Sequence, residues 1–176
     1  MPMICLHCQK NEEMQVKNIG TEKAWQKIKH YCAYQERSHA ETRDKLYGFG
    51  LYKLEVETLL SQLIEENYLN EERYAVAFAG GKFRMNHWGR VKIKYELQQK
   101  RVSTYCVKLA LAQIDETDYE QCLHKLARTK WASFKSDASP LERRAKLQSY
   151  LLQKGFENQL VSAIAQTLSK EELGGQ

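Results

Sequence analysis

Residues 46–63 read LYGFGLYKLEVETLLSQL, and the pattern recurs at residues 97–114, LQQKRVSTYCVKLALAQI, and at residues 151–168, LLQKGFENQLVSAIAQTL. Each begins with a leucine: Leu46, Leu97 or Leu151. An apolar residue follows five positions later (Leu51, Val102, Phe156) and a valine ten positions later (Val56, Val107, Val161). Leu59 and Leu60, Ala110 and Leu111, Ile164 and Ala165 come next, and Leu63, Ile114 and Leu168 close the three stretches. The leucines are 51 and 54 residues apart, the signature of one supersecondary unit used three times. Positions ten, thirteen, fourteen and seventeen form one stripe at the 3.6-residue period, so each stretch holds a chain reversal followed by an amphipathic helix. Gly50 and Gly155 stand where a helix end calls for a left-handed residue.

Upstream of each leucine there is room for two helices, which predicts three-helix units at residues 21–69, 70–114 and 115–169. Residues 1–20 and 170–176 are expected to be tails. Start signals agree. Ser38 with Glu41 and Ser139 with Glu142 fit a capping box, Pro140 suits the first helical position, and Asn70 precedes Glu71 and Glu72. The fold expected is all-α.

Composition supports that reading. Hydrophobic residues make up 43% of the 176, with only two prolines and nine glycines, which argues against disorder and against a turn-rich β protein. No apolar run is long enough to span a bilayer, and residues 1–20 lack the pattern of a signal peptide, so a cytoplasmic protein with no membrane contact is expected. Five cysteines without framework spacing read as reduced thiols. Cys5 and Cys8 form a single Cys-x2-Cys, half of a zinc site, and no second pair completes it. No metal and no cofactor is expected; Met14 offers an alternative start that would remove the pair.

Charge is unevenly spread. Residues 21–69 carry seven basic and eight acidic side chains, residues 70–114 nine and three, and residues 115–176 nine of each, within a chain of net +5. The excess is concentrated in Lys82, Arg84, Arg90, Lys92, Lys94, Lys100 and Arg101, against the single acid Glu96. At 100° per residue Arg90, Lys94 and Arg101 fall within about 40° of one another, between an arc of Ile93 and Leu97 and one of Trp88, Val91 and Tyr95. The seven cations are the candidate surface for phosphates or an acidic protein. Packing is the expected role of Tyr74, Phe78 and Met85, with Gly81 permitting a close helix contact. Trp88 is the aromatic expected nearest the rim.

Catalytic motifs are missing. Ala79-Gly80-Gly81-Lys82 is followed by Phe83 instead of the Ser or Thr a phosphate loop requires. The five histidines make no His-x3-His pair, the acidic doublets sit near helix ends, and Cys106 and Cys122 read as packed.

The chain resembles the RecX family of regulatory proteins over nearly all of residues 21–168. The matching residues are Leu69-Asn-Glu-Glu-Arg-Tyr-Ala75, Gly89-Arg-Val-Lys-Ile93, Glu96-Leu97-Gln-Gln-Lys100 and Lys154-Gly155-Phe156. The resemblance implies an elongated, curved array of three tandem three-helix repeats. It also implies a non-catalytic protein that binds the RecA recombinase filament, inhibits its ATPase and strand exchange in DNA repair and recombination, and in many members binds single- and double-stranded DNA. The family's basic contact surface maps onto Lys82, Arg84, Arg90, Lys92, Lys94 and Lys100. Two departures stand out: Arg101 replaces the glycine usual after the second Leu-x-x-Lys, and the Cys5/Cys8 tail has no counterpart. A stand-alone helical DNA-binding module and a helical-repeat adaptor with an apolar groove are the competing readings. Repeats that complete one another in one chain make a monomer the simplest state.

Overall fold

In a computed structural model, residues 18–134 and 139–174 are described; the Cys5/Cys8 pair and Met14 lie outside them. Among the described residues every regular element is a helix: α1 (Thr21–Tyr34), α2 (His39–Tyr47), α3 (Lys53–Glu65), α4 (Glu71–Asn86), α5 (Arg90–Gln99), α6 (Thr104–Ala112), α7 (Glu116–Ala132), α8 (Pro140–Lys154) and α9 (Asn158–Gly174). Successive triplets pack on themselves, α1 with α2 and α3, α4 with α5 and α6, α7 with α8 and α9. The all-α repeat read from the sequence is therefore the architecture.

Local chemistry explains where helices begin. Ser38 accepts from the Glu41 N–H while the Glu41 carboxylate accepts from the Ser38 N–H, completing a capping box on α2. Asn70, Ser103, Asp115 and Ser139 each cap the helix they precede with a side-chain oxygen. Chain reversals are shared too. The residue four after each repeat leucine has positive φ: Gly50 at 78°, Arg101 at 59° and Gly155 at 90°. Val102 N–H reaches back to Leu97 C=O and Phe156 N–H to Leu151 C=O, the six-to-one bond of a Schellman ending. Arg101 thus takes the backbone shape that glycine takes in the other two repeats.

The leucines that open the repeats, Leu46, Leu97 and Leu151, are fully buried, as are Val56 and Val161. Truncating Leu97 to alanine would remove about 2 to 5 kcal/mol. Two separate cores result. Ala24, Ile28, Leu46, Val56 and Leu63 centre one within α1–α3. The other runs without a break through α4–α9, from Tyr74 and Phe83 through Ile93, Leu97 and Tyr119 to Leu151, Phe156 and Val161.

Two packing expectations fail, those for Met85 and Gly81, and the Val91 and Tyr95 arc of α5 stays exposed. Met85, on α4, is 82% exposed; on α5, Val91 and Tyr95 are more than half exposed, because among the described residues α5 packs against α4 and α6 through its Ile93 and Leu97 side. A Cβ on Gly81 would meet nothing within 4 Å, so no helix approaches there. The close approach is at Gly89, where a Cβ would lie 2.1 Å from the Gly155 carbonyl oxygen.

Candidate functional site

The seven cations of the middle triplet divide into two groups. Arg90 and Lys100 are committed to carboxylates of the flanking triplets, whereas Lys82, Arg84, Lys92, Lys94 and Arg101 make no ion pair among the described residues. Arg90 is turned inward: its guanidinium donates to Glu116 Oε2 at 2.7 Å, lies 4.0 Å from Glu157 and covers the Tyr119 ring at 4.1 Å. The hydrogen bond to Glu116 holds its pKa above the ordinary arginine value. Arg101 lies past the last turn of α5, so the helical-wheel angle that grouped it with Arg90 and Lys94 does not apply. Lys94 and Arg101 are exposed; Arg84 is exposed as well, its guanidinium folded over Gly80.

Lys82 and Lys92 stand over the half-buried Trp88, their ammonium groups 5.1 and 4.5 Å from the ring centroid. Such cation–π contacts keep lysine charge beside an aromatic face without neutralising it. Trp88 itself lines a cleft of about 380 Å³ where the first triplet meets the second, with Arg37, Glu41, Tyr74, Phe78, Lys82, Glu96 and Lys100. Lys100 donates to Glu41 across this cleft. Burial alone would raise the Glu41 pKa, but the Lys100 ammonium and the Ser38 N–H outweigh it and hold the carboxyl below its usual range. A second tie between these triplets, Arg73 with Glu36, lies outside the cleft lining.

The junction of the second and third triplets is made of backbone. Gly89 and Val91 at the start of α5 donate to the Lys154 and Gly155 carbonyls at the end of α8, at 2.9 and 3.0 Å. The amide of Arg90 donates to Tyr119 Oη at 3.0 Å, and that hydroxyl donates to Glu157 at 2.7 Å. Unsatisfied donors at one helix start thus meet unsatisfied acceptors at another's end, with the two helix dipoles aligned favourably. Burial and the bond to Glu157 push the Tyr119 phenol upward, so it stays neutral and able to donate. Two motifs quoted above, Gly89-Arg-Val-Lys-Ile93 and Lys154-Gly155-Phe156, prove to be the two sides of this seam. Their sequence signal was a pair of glycines, but nothing local showed that the two face each other. Tyr119, Glu116 and Glu157 carried no signal at all. No group of three His, Cys, Asp or Glu side chains with metal-binding geometry occurs among the described residues. Nor, among them, is any helix long and apolar enough to cross a membrane.

Comparison with known proteins identifies the family. Residues 70–111 match the family model for the second three-helix domain of RecX, and residues 117–164 that for the third. The chain is 33% identical over 150 residues to the regulatory protein RecX of Prosthecochloris aestuarii, covering 85% of this chain and 94% of that one. It is also 33% identical over 137 residues to that of Clostridium perfringens, covering 77% of this chain and spanning 64% of that relative's length. The crystal structure of RecX from Lactobacillus salivarius superposes with a TM-score of 0.75 at 23% identity, over 84% of this chain and 96% of that one, a likeness of fold.

Proposed function

The chain belongs to the RecX family of regulatory proteins, and on that premise we propose that it binds the RecA nucleoprotein filament and lowers its ATP hydrolysis and strand exchange. In this reading it acts as a cytoplasmic monomer without chemistry of its own. Its middle triplet faces the filament groove and the single- or double-stranded DNA there. The observation that carries the proposal is the state of the middle-triplet cations: among the described residues Lys82, Arg84, Lys92, Lys94 and Arg101 make no ion pair, on a segment fastened on both sides to its neighbours. Cations held on a rigid helix track can neutralise phosphates with little further ordering cost.

The test is RecA's DNA-dependent ATP hydrolysis on preformed single-strand filaments, titrated with the protein and with a Lys94→Glu, Arg101→Glu variant. Arg90 is left intact because reversing it would strand Glu116 and Glu157 and disturb the seam. Inhibition by the wild type that the variant loses, with helicity unchanged, supports the reading. Inhibition retained by the variant moves the contact elsewhere. No inhibition by the wild type, alongside tight DNA binding without RecA, would make a stand-alone DNA-binding module the better account.

A further inference from the structure

The first triplet carries a net charge of −1, yet one of its clefts has no acid in its lining. Lys29 pairs with Glu66 and Arg43 with Glu57. Lys27, His30, Tyr31 and Tyr34 recur at the spacing of one α1 face, and with Lys45 on α2 and Phe49 in the turn beyond it they line a cleft of about 400 Å³. Every lining residue is basic or aromatic. Among the described residues neither Lys27 nor Lys45 meets a carboxylate within ion-pair range. Instead both ammonium groups stand over rings, Lys27 at 5.9 Å and Lys45 at 5.6 Å from the Phe49 centroid, with Lys45 also 5.7 Å from Tyr31. Tyr34, on the last turn of α1, is 82% exposed, and none of the ring or cation–π contacts found among the described residues involves it.

We propose that this cleft is a contact site for single-stranded nucleic acid, with Lys27 and Lys45 meeting backbone phosphates and the Tyr34 ring stacking on a base. A groove that combines unneutralised cations with a bare aromatic face, and no acid in its lining, suits a strand whose phosphates and bases alternate. An acidic protein surface would use the cations but leave Tyr34 without a role. The site also connects with the middle triplet. Arg37 covers Tyr31 at 4.1 Å and also lines the Trp88 cleft with Lys82, beside Glu41 and Glu96, so the two clefts meet at Arg37. The inference extends the proposed DNA contact beyond the middle triplet, and its main readout, oligonucleotide binding, needs no recombinase.

The test is fluorescence anisotropy of a labelled oligothymidylate with the full chain at several salt concentrations. The variants are Tyr34→Ala, Tyr34→Phe, and Lys27→Glu with Lys45→Glu, each checked for helicity and thermal midpoint. Tyr34→Ala should weaken binding about tenfold with the salt slope unchanged, and Tyr34→Phe should restore it. The double lysine variant should weaken binding and lower the salt slope by about 1.4, about 0.7 for each phosphate no longer neutralised. Photocrosslinking of a 5-iodouracil oligonucleotide should place the adduct on Tyr34. Wild-type affinity and slope in all variants, or no binding by the wild-type chain, overturns the inference. Binding abolished only in the Lys94→Glu, Arg101→Glu variant overturns it too, while leaving the proposed function standing. First-triplet variants that bind the oligonucleotide normally but no longer inhibit RecA would assign the cleft to a protein contact, and the nucleic-acid assignment falls. Oligonucleotide binding abolished in the first-triplet variants, even where the wild type does not inhibit RecA, supports the inference independently of the recombinase reading.

Discussion

At Arg101 an arginine holds φ at 59°, in a turn whose counterparts use Gly50 and Gly155. The left-handed region crowds a Cβ against the backbone, at a cost of roughly 1 to 2 kcal/mol that glycine avoids. Glycine gives part of that back through the greater freedom of its unfolded chain. Arg101→Gly should therefore stabilise the protein by about 0.5 to 1 kcal/mol, read as a higher denaturant midpoint at unchanged slope. An unchanged or lowered midpoint would mean that the arginine side chain contributes more to the fold than its exposure suggests. Gly89 is the opposite case. Any side chain there meets the Gly155 carbonyl and Phe156 nitrogen, backbone atoms that cannot swing aside. Gly89→Ala should cost about 3 kcal/mol or more by forcing the seam open, whereas Gly81→Ala, in open space within α4, should be neutral or stabilising by up to about 1 kcal/mol. Equal melting temperatures for these two variants would show that the seam yields easily.

Among the elements, α5 is the one whose surroundings differ most from the helical wheel. Its Ile93 and Leu97 side was legible, because a buried stripe repeats at the helix period whatever covers it. The second apolar arc was not. Val91 and Tyr95 share the periodicity of packed residues, but periodicity cannot say whether a neighbouring helix is present, and among the described residues both stay more than half exposed. Arg90 looked like its basic neighbours because the groups that claim it, Glu116, Tyr119 and Glu157, lie far along the chain. Lys100 likewise depends on a partner in α2, and that pairing has a pH signature. The Glu41 carboxyl is held below its ordinary value of 4.5 in the folded chain. A depressed pKa gives a contribution present above the unfolded value and lost as pH falls through the folded one. The stability difference between wild type and Glu41→Gln should thus be constant above about pH 5 and shrink on acidification below 4.5. A difference independent of pH throughout would remove the Lys100 contact from the account.

For the whole molecule, the division of the core matters more than the count of helices. The helices and their repeat were legible because capping residues, anchor leucines and turn glycines are local signals, each repeated along the chain. How the triplets join was not. One junction consists of backbone hydrogen bonds and a shared apolar core, the other of ion pairs around a cleft, and neither leaves a periodic trace. We expect α1–α3 to open as one cooperative unit and α4–α9 as another. In native-state hydrogen exchange, the amides of Ile28, Val56 and Leu63 should share one opening free energy, and those of Ile93, Leu97, Leu123 and Val161 a different one. One common value for both sets would show that the ion pairs at Glu36 and Glu41 bind the two cores into a single cooperative block.

The fastening of the start of α5 to the end of α8 also sets a schedule for synthesis. Gly89 leaves the ribosome 65 residues ahead of Lys154, so at about 5 to 20 residues per second its amide waits about 3 to 13 s for the carbonyl that receives it. During that interval the middle triplet can coil but cannot finish, and a nascent chain halted before residue 155 should leave the Trp88 region open to proteases that the released protein resists.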